Sequence, residues 1–186
     1  MKIVGMSGSL RKGSYNSAAL RAAQGLVPEG VTLEIAEIGD LPLYNDDLRE
    51  AGYPPPTERL RRQIAEADAV LFVTPEYNYS VSGVLKNAID WASRPPNQPF
   101  EGKPIAIMGA SGGLFGTARA QYHLRQMMVF LNAFPVNKPE VMIGQAQNKF
   151  DAAGNLTDEP TKEFIRKLLA SLAAWTQRLQ ASAPKS

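Results

Sequence analysis

"KIVGMSGSLRKGSYNSAAL", residues 2–20, runs from an apolar segment through glycine, serine, arginine, lysine and asparagine into alanine and leucine. That succession predicts a strand, a tight loop and a helix. Small residues in such a loop let the backbone come close to a ligand, and hydroxyls and free N–H groups donate hydrogen bonds. The following helix turns its positive end toward the same place. Ser9, Arg11, Ser14, Asn16 and Ser17 are therefore candidate donors to a phosphate. The same residues also suit a plain helix start, with Ser14 or Asn16 as the cap and Arg11 in solvent.

Phosphate loops of other geometry do not fit. Gly8 and Gly13 have the first spacing of a P-loop, but Ser14 and Tyr15 follow where lysine and a hydroxyl residue are required. The run Gly5-Met6-Ser7-Gly8-Ser9-Leu10 also lacks the dinucleotide fingerprint. A monophosphate suits this loop better than a pyrophosphate.

The strand-then-helix succession recurs along the chain. Lys2–Met6, Val31–Ala36, Ala69–Thr74 and Ile105–Ala110 form the apolar stretches, with Glu140–Gly144 as a fifth. "AVLFV" and "IAIMGA" are apolar throughout, as central parallel strands covered on both faces must be, whereas "VTLEIAEI" alternates as an edge strand does. Helical spacing places Leu20, Ala23 and Val27 on one face, then Leu60, Ile64 and Ala67, then Leu85, Ile89 and Ala92, then Leu124, Met127, Met128 and Leu131. Phe164, Leu168, Leu172, Trp175 and Leu179 mark a last stripe, with Asp158 as cap and Pro160 in the first turn. Right-handed crossovers then predict an α/β three-layer sandwich of the flavodoxin-like kind, its five-stranded parallel sheet ordered 2-1-3-4-5. Ligands of such sheets sit beyond the carboxyl ends of the strands.

Two more of those ends carry distinctive loops. "TPEYNYSVSG", residues 74–83, offers Pro75 as a stiff exit, flat faces from Tyr77 and Tyr79, and polar edges from Glu76 and Asn78. It suits a planar heteroaromatic ligand, or equally a surface turn whose tyrosines pack on neighbouring loops. In "GASGGLFG", residues 109–116, Ser111, Gly112 and Gly113 bring backbone N–H groups to a ring edge. A phosphate cradle, an aromatic wall and a glycine-lined floor on one rim together match the parts of flavin mononucleotide.

Composition bounds the rest. The 186 residues hold 44% hydrophobic and 20% charged residues with a formal charge of +2, so one domain over 1–186 is expected, with a short flexible tail from about 181. No broad basic face suits nucleic acid. Cysteine is absent and His123 is the single histidine, which excludes disulfides, thiolate chemistry, iron–sulfur clusters and multi-histidine metal sites. Any redox chemistry uses a borrowed group. The N-terminal residues lack the apolar core of a signal peptide, and no run reaches the ~18 apolar residues of a membrane span, so a cytoplasmic protein without membrane insertion is expected.

"GSLRKGSYN" at 8–16, "TPEYNYSVSGVLKNAIDW" at 74–91, "QYHLRQ" at 121–126 and "NKPE" at 137–140 resemble the NADPH-dependent FMN reductase family, its quinone and chromate reductase branch in particular. The resemblance implies a flavodoxin-like fold and bound FMN, with NADPH or NADH reducing quinones, and similarly chromate, azo compounds or free flavin, in ping-pong order. Carried over, Ser9, Arg11, Ser14, Asn16 and Ser17 surround the phosphate, Pro75, Glu76, Tyr77 and Asn78 border the isoalloxazine, and Ser111 and Gly112 lie along the same ring. The flavin carries the chemistry, so no side chain is assigned as catalytic. The family also implies a homodimer or homotetramer, with Tyr122, Arg125 and Glu140 as polar interface residues.

Two other classes compete. A flavodoxin-type electron carrier would share the fold, but such carriers are strongly acidic and this chain is near neutral. A serine hydrolase would need glycine where Ser9 stands in "GMSGS". His123, on a helix rich in methionine, is expected to be a packing or interface residue.

Overall fold

The computed structural model describes residues 1–182. Strands β1 (Lys2–Ser7), β2 (Thr32–Ile35), β3 (Ala69–Val73) and β4 (Pro104–Ala110) alternate with helices α1 (Tyr15–Gln24), α2 (Asp46–Glu50), α3 (Pro55–Glu66), α4 (Gly83–Ala92) and α5 (Ala118–Phe130). The chain closes with β5 (Phe134–Pro135), β6 (Val141–Ile143), a 3-10 turn at Ala146–Asn148 and α6 (Glu159–Ser182). Among these helices none is long and apolar enough to cross a membrane. The tail expected from about residue 181 lies, beyond Ser182, outside the described residues.

All pairings are parallel, and the order β2-β1-β3-β4-β5 matches the expectation. The fifth position is built in two pieces. β5 pairs with Pro104 and Ile105 at the start of β4, and β6 pairs with Met108–Ala110 at its end. Pro135 and Pro139 flank the intervening segment, and a residue without an N–H cannot donate to a ladder. That chemistry keeps the position from closing as one strand.

Side chains of successive strand residues point to opposite faces, so the sheet divides the core in two. Ile3, Leu71, Val73, Ala106 and Met108 pack with α1 and α6, whereas Val4, Met6, Phe72, Ile105 and Ile107 pack with α3, α4 and α5. β3 is buried at every position and β2 at Leu33 alone, as central and edge strands should be. The stripe read for α6 is rotated. Ile165, Leu168, Leu169, Leu172, Ala173 and Thr176 are its buried residues, while Phe164 is 52% exposed. Doubled apolar pairs at 164–165 and 168–169 give two overlapping 3.6-residue stripes, and packing selects the second.

Candidate functional site

Because the strands run parallel, the loops after β1, β3 and β4 emerge along one rim. Ser14 caps α1, its Oγ accepting hydrogen bonds from the N–H groups of Asn16 (3.2 Å) and Ser17 (3.3 Å). Ser17 Oγ donates to the Ser9 carbonyl at 3.3 Å and lies 2.9 Å from Ser7 Oγ, which folds the loop back over the helix start. Among the described residues, the N–H groups of Leu10, Arg11, Lys12 and Gly13 have no acceptor. Arg11 is exposed and has no carboxylate partner among the described residues, its guanidinium 5.7 Å from the Tyr15 ring. Free amides, hydroxyls and a guanidinium at a helix N-terminus form the donor set that an oxyanion requires.

Asn16 does not stand free in that cradle. It is 4% exposed; its Nδ2 donates to the Ala110 carbonyl at 2.9 Å and its Oδ1 accepts from the Ala110 N–H at 2.8 Å. The side chain thus ties the first loop to the end of β4, and a single Nδ2 hydrogen is left for anything else. A second tie runs from Ser82, the cap of α4, whose Oγ donates to the Gly8 carbonyl at 2.6 Å. A Cβ at Gly8 would lie 2.8 Å from Ser82 Oγ and 2.9 Å from Pro75 Cδ, so the approach of these two loops requires glycine.

In the loop after β3, Pro75 is buried and Tyr77–Ser80 form a tight turn, each end donating its N–H to the other's carbonyl at 3.0 Å. Asn78 (φ 50) and Tyr79 (φ 67) both occupy the left-handed region, the geometry of a type I′ turn. Tyr77 is 51% exposed and Tyr79 66%, so the turn keeps much of both aromatic side chains at the surface.

The carboxylate of Glu76, expected as a polar edge for a ring, is engaged by the start of α5. It accepts from the N–H groups of Arg119 (3.0 Å) and Ala120 (3.2 Å) and from Arg119 Nε (2.6 Å). α5 needs this cap from outside, because its own N-cap residue, Thr117, is left-handed (φ 73) and makes no side-chain cap. Glu76 therefore locks the second loop to the third.

Beyond β4, Ser111 donates its N–H to the Ile143 carbonyl at 3.0 Å, and its Oγ to the Gly113 carbonyl at 3.3 Å. The N–H groups of Gly112 and Gly113 have no acceptor among the described residues and face the rim from an exposed stretch. A Cβ at Gly109 would collide with Thr117 Oγ1 and the Thr74 carbonyl, so the third loop is seated directly on the second. His123 is exposed on α5, its Nδ1 3.0 Å from Ser80 Oγ, and so steadies the tyrosine turn.

Of the residues expected at an interface, Arg125 donates through Nη2 to the Val136 carbonyl at 2.9 Å, and the Glu140 carboxylate beside the Tyr122 hydroxyl pushes its pKa up. Both contacts lie within one subunit. No group of histidine, cysteine and carboxylate side chains among the described residues is arranged to hold a metal ion.

Residues 1–148 match the family described as NADPH-dependent FMN reductase. The chain is 63% identical over 180 residues to an NAD(P)H-dependent FMN reductase of Pseudomonas aeruginosa, covering 97% of each protein. It is 46% identical over 183 residues to a quinone reductase of Escherichia coli K12, again covering 97% of both. Among solved structures, FerB, a flavoenzyme NAD(P)H:(acceptor) oxidoreductase of Paracoccus denitrificans, superposes with a TM-score of 0.86 at 39% identity, over 95% of this chain and 97% of that one.

Proposed function

Since the chain belongs to the NADPH-dependent FMN reductase family, we propose that it is an enzyme moving two electrons from NADPH or NADH to quinones, with FMN held across its three rim loops. When bound, FMN supplies a centre that accepts a hydride and passes the electrons on. Everything else is the protein's work.

The residues present fit that group. Ser9, Arg11, Ser14 and Ser17, with the free N–H groups of residues 10–13, hold the phosphate, and the N-terminal end of α1 adds its positive field. Asn16 fixes the distance between the phosphate loop and the floor by way of Ala110. Pro75, Tyr77 and Asn78 border the ring system, and Glu76 acts there by holding the second loop to α5. The free N–H groups of Gly112 and Gly113, next to Ser111, would supply fixed dipoles to negative charge on the reduced ring. An open rim serves reductant and acceptor in turn, which supports the ping-pong order and the wider acceptor set of chromate, azo compounds and free flavin.

The observation that carries this reading is the run of free amides at the start of α1, tied by Asn16 to the glycine loop. The test is the visible absorbance of the purified protein, its titration with FMN, and its bleaching by NADPH without oxygen. Yellow protein, saturable FMN binding and rapid bleaching are expected. A colourless protein with no affinity for FMN would overturn the reading, and bound FMN that NADPH reduces only sluggishly would favour the electron carrier.

A homodimer or homotetramer belongs to the same reading. It is supported by one face of α5 on which Tyr122 (50%), Val129 (82%) and Phe130 (84%) are exposed.

A further inference from the structure

Arg119 stands in the first turn of α5 at the rim, and its side chain has three close neighbours. Nε donates to Glu76 Oε1 at 2.6 Å, and the guanidinium carbon lies 3.9 Å from the centre of the Tyr79 ring and 5.2 Å from that of Phe115. The side chain is still 40% exposed. With Nε spent on the carboxylate and two aromatic rings close to the guanidinium carbon, the outer edge carrying Nη1 and Nη2 has no acceptor among the described residues.

A guanidinium clamped in this way has already given up the rotamer freedom that a free arginine loses on binding. Its outer fork matches two oxygens of a phosphate. Glu76 does not cancel the local field, because its carboxylate is shared with the Arg119 and Ala120 amides at the positive end of α5. The rim then carries two cationic stations: Arg11 in the loop after β1, and Arg119 beyond the loops after β3 and β4. The first sits in the phosphate cradle at α1. The second stands past the tyrosine turn, where the cradle's ligand has no phosphate to offer it.

We propose that Arg119 is a specificity-determining residue for the reductant, its Nη fork binding a phosphate of the nicotinamide dinucleotide while the nicotinamide lies over the rim. This rests on the reading of the site given above. It commits to the reductant rather than to a quinone acceptor, since quinones carry no oxyanion that would repay a preformed fork.

The test uses the holoenzyme, a neutral naphthoquinone as acceptor, and two hydride donors: NADPH, and N-benzyl-1,4-dihydronicotinamide, which has no phosphate. Arg119→Gln keeps the main-chain bonds of residues 119 and 120 to Glu76, so the α5 cap survives. It is expected to raise the KM for NADPH about tenfold, the loss of one charged hydrogen-bonding group. Turnover with the phosphate-free donor and FMN content are expected to stay unchanged. Added salt should raise the wild-type KM for NADPH more steeply than the variant's. Arg119→Lys, a point charge without the fork, should fall between the two. An equal loss with NADH assigns the pyrophosphate to Arg119, and a loss confined to NADPH assigns the 2′-phosphate; both support the proposal. An unchanged KM for NADPH, or equal losses with both hydride donors, would overturn it. Failure of the site reading itself looks different: wild-type protein would hold no FMN and turn over neither donor.

Discussion

Asn16 and Ala110 stand 94 residues apart and exchange two hydrogen bonds, Nδ2 to carbonyl at 2.9 Å and N–H to Oδ1 at 2.8 Å. The asparagine side chain imitates a neighbouring peptide group and extends the pairing of β4 to the helix that follows the phosphate loop. One buried amide thereby sets the spacing of the first and third loops.

Replacing Asn16 with alanine leaves the N–H and carbonyl of Ala110 without their partner in a buried position. The loss should be about 1–3 kcal/mol of folding stability, read from urea unfolding, together with weaker FMN binding because the loops lose their register. Unchanged stability would show that the two groups find other partners and that the tie is incidental.

Arg11 should separate binding from folding. Its side chain is exposed and has no carboxylate partner among the described residues, so Arg11→Gln is expected to leave the urea midpoint where it is. The dissociation constant for FMN should rise about tenfold, as for a lost charged hydrogen bond. Fluorescence titration measures it, and a variant that binds FMN as tightly as the parent would remove Arg11 from the phosphate site.

How much of this was legible in the sequence depends on the distance over which each feature is determined. "AVLFV" announces a strand buried on both faces within five residues, and glycine and serine at a strand end announce a close approach. The split fifth position was harder, because Phe134–Pro135 is too short to show a period. The sequence offers Glu76 only as a polar edge for a ring, since its acceptor role is fixed by α5, 43 residues away. A signal did exist: α5 starts with Ala118, Arg119 and Ala120 and has no acidic residue in its first turn, so its amides had to find an acceptor elsewhere. Arg119 carries no local signal for the same reason, since Tyr79 and Phe115 come close to it only in three dimensions.

Lys103 predicts a pH dependence of stability. Its half-buried ammonium donates to the Ala67 carbonyl at 2.6 Å beyond the end of α3, and burial lowers its pKa below the usual lysine value while Asp68 partly opposes the shift. Between the lowered folded value and the ordinary value, the unfolded chain binds more protons, so stability attributable to Lys103 rises with pH across the window just below the ordinary lysine value of 10.5. Unfolding free energies of the parent and of Lys103→Met, compared from pH 7 to 10, should show the parent gaining on the variant as pH rises. A constant difference would contradict the shift.

The exposed face of α5 predicts assembly. Tyr122, Val129 and Phe130 lie seven and eight residues apart, on the side of the helix opposite the buried Leu124 and Met128. Large apolar side chains grouped on one exposed face mark a contact surface more often than scattered ones do. Because Arg125 and Glu140 already have partners within the subunit, the apolar residues rather than that polar set should carry the association. Light scattering at micromolar concentration should give the mass of a dimer or tetramer for the parent and of a smaller species for Phe130→Glu, which places a charge in the middle of the face. The variant should keep its bound FMN, since Phe130 ends the helix whose first turn reaches the rim. A parent that scatters as a monomer would remove assembly from this reading, and an oligomer that Phe130→Glu leaves intact would move the contact to another face.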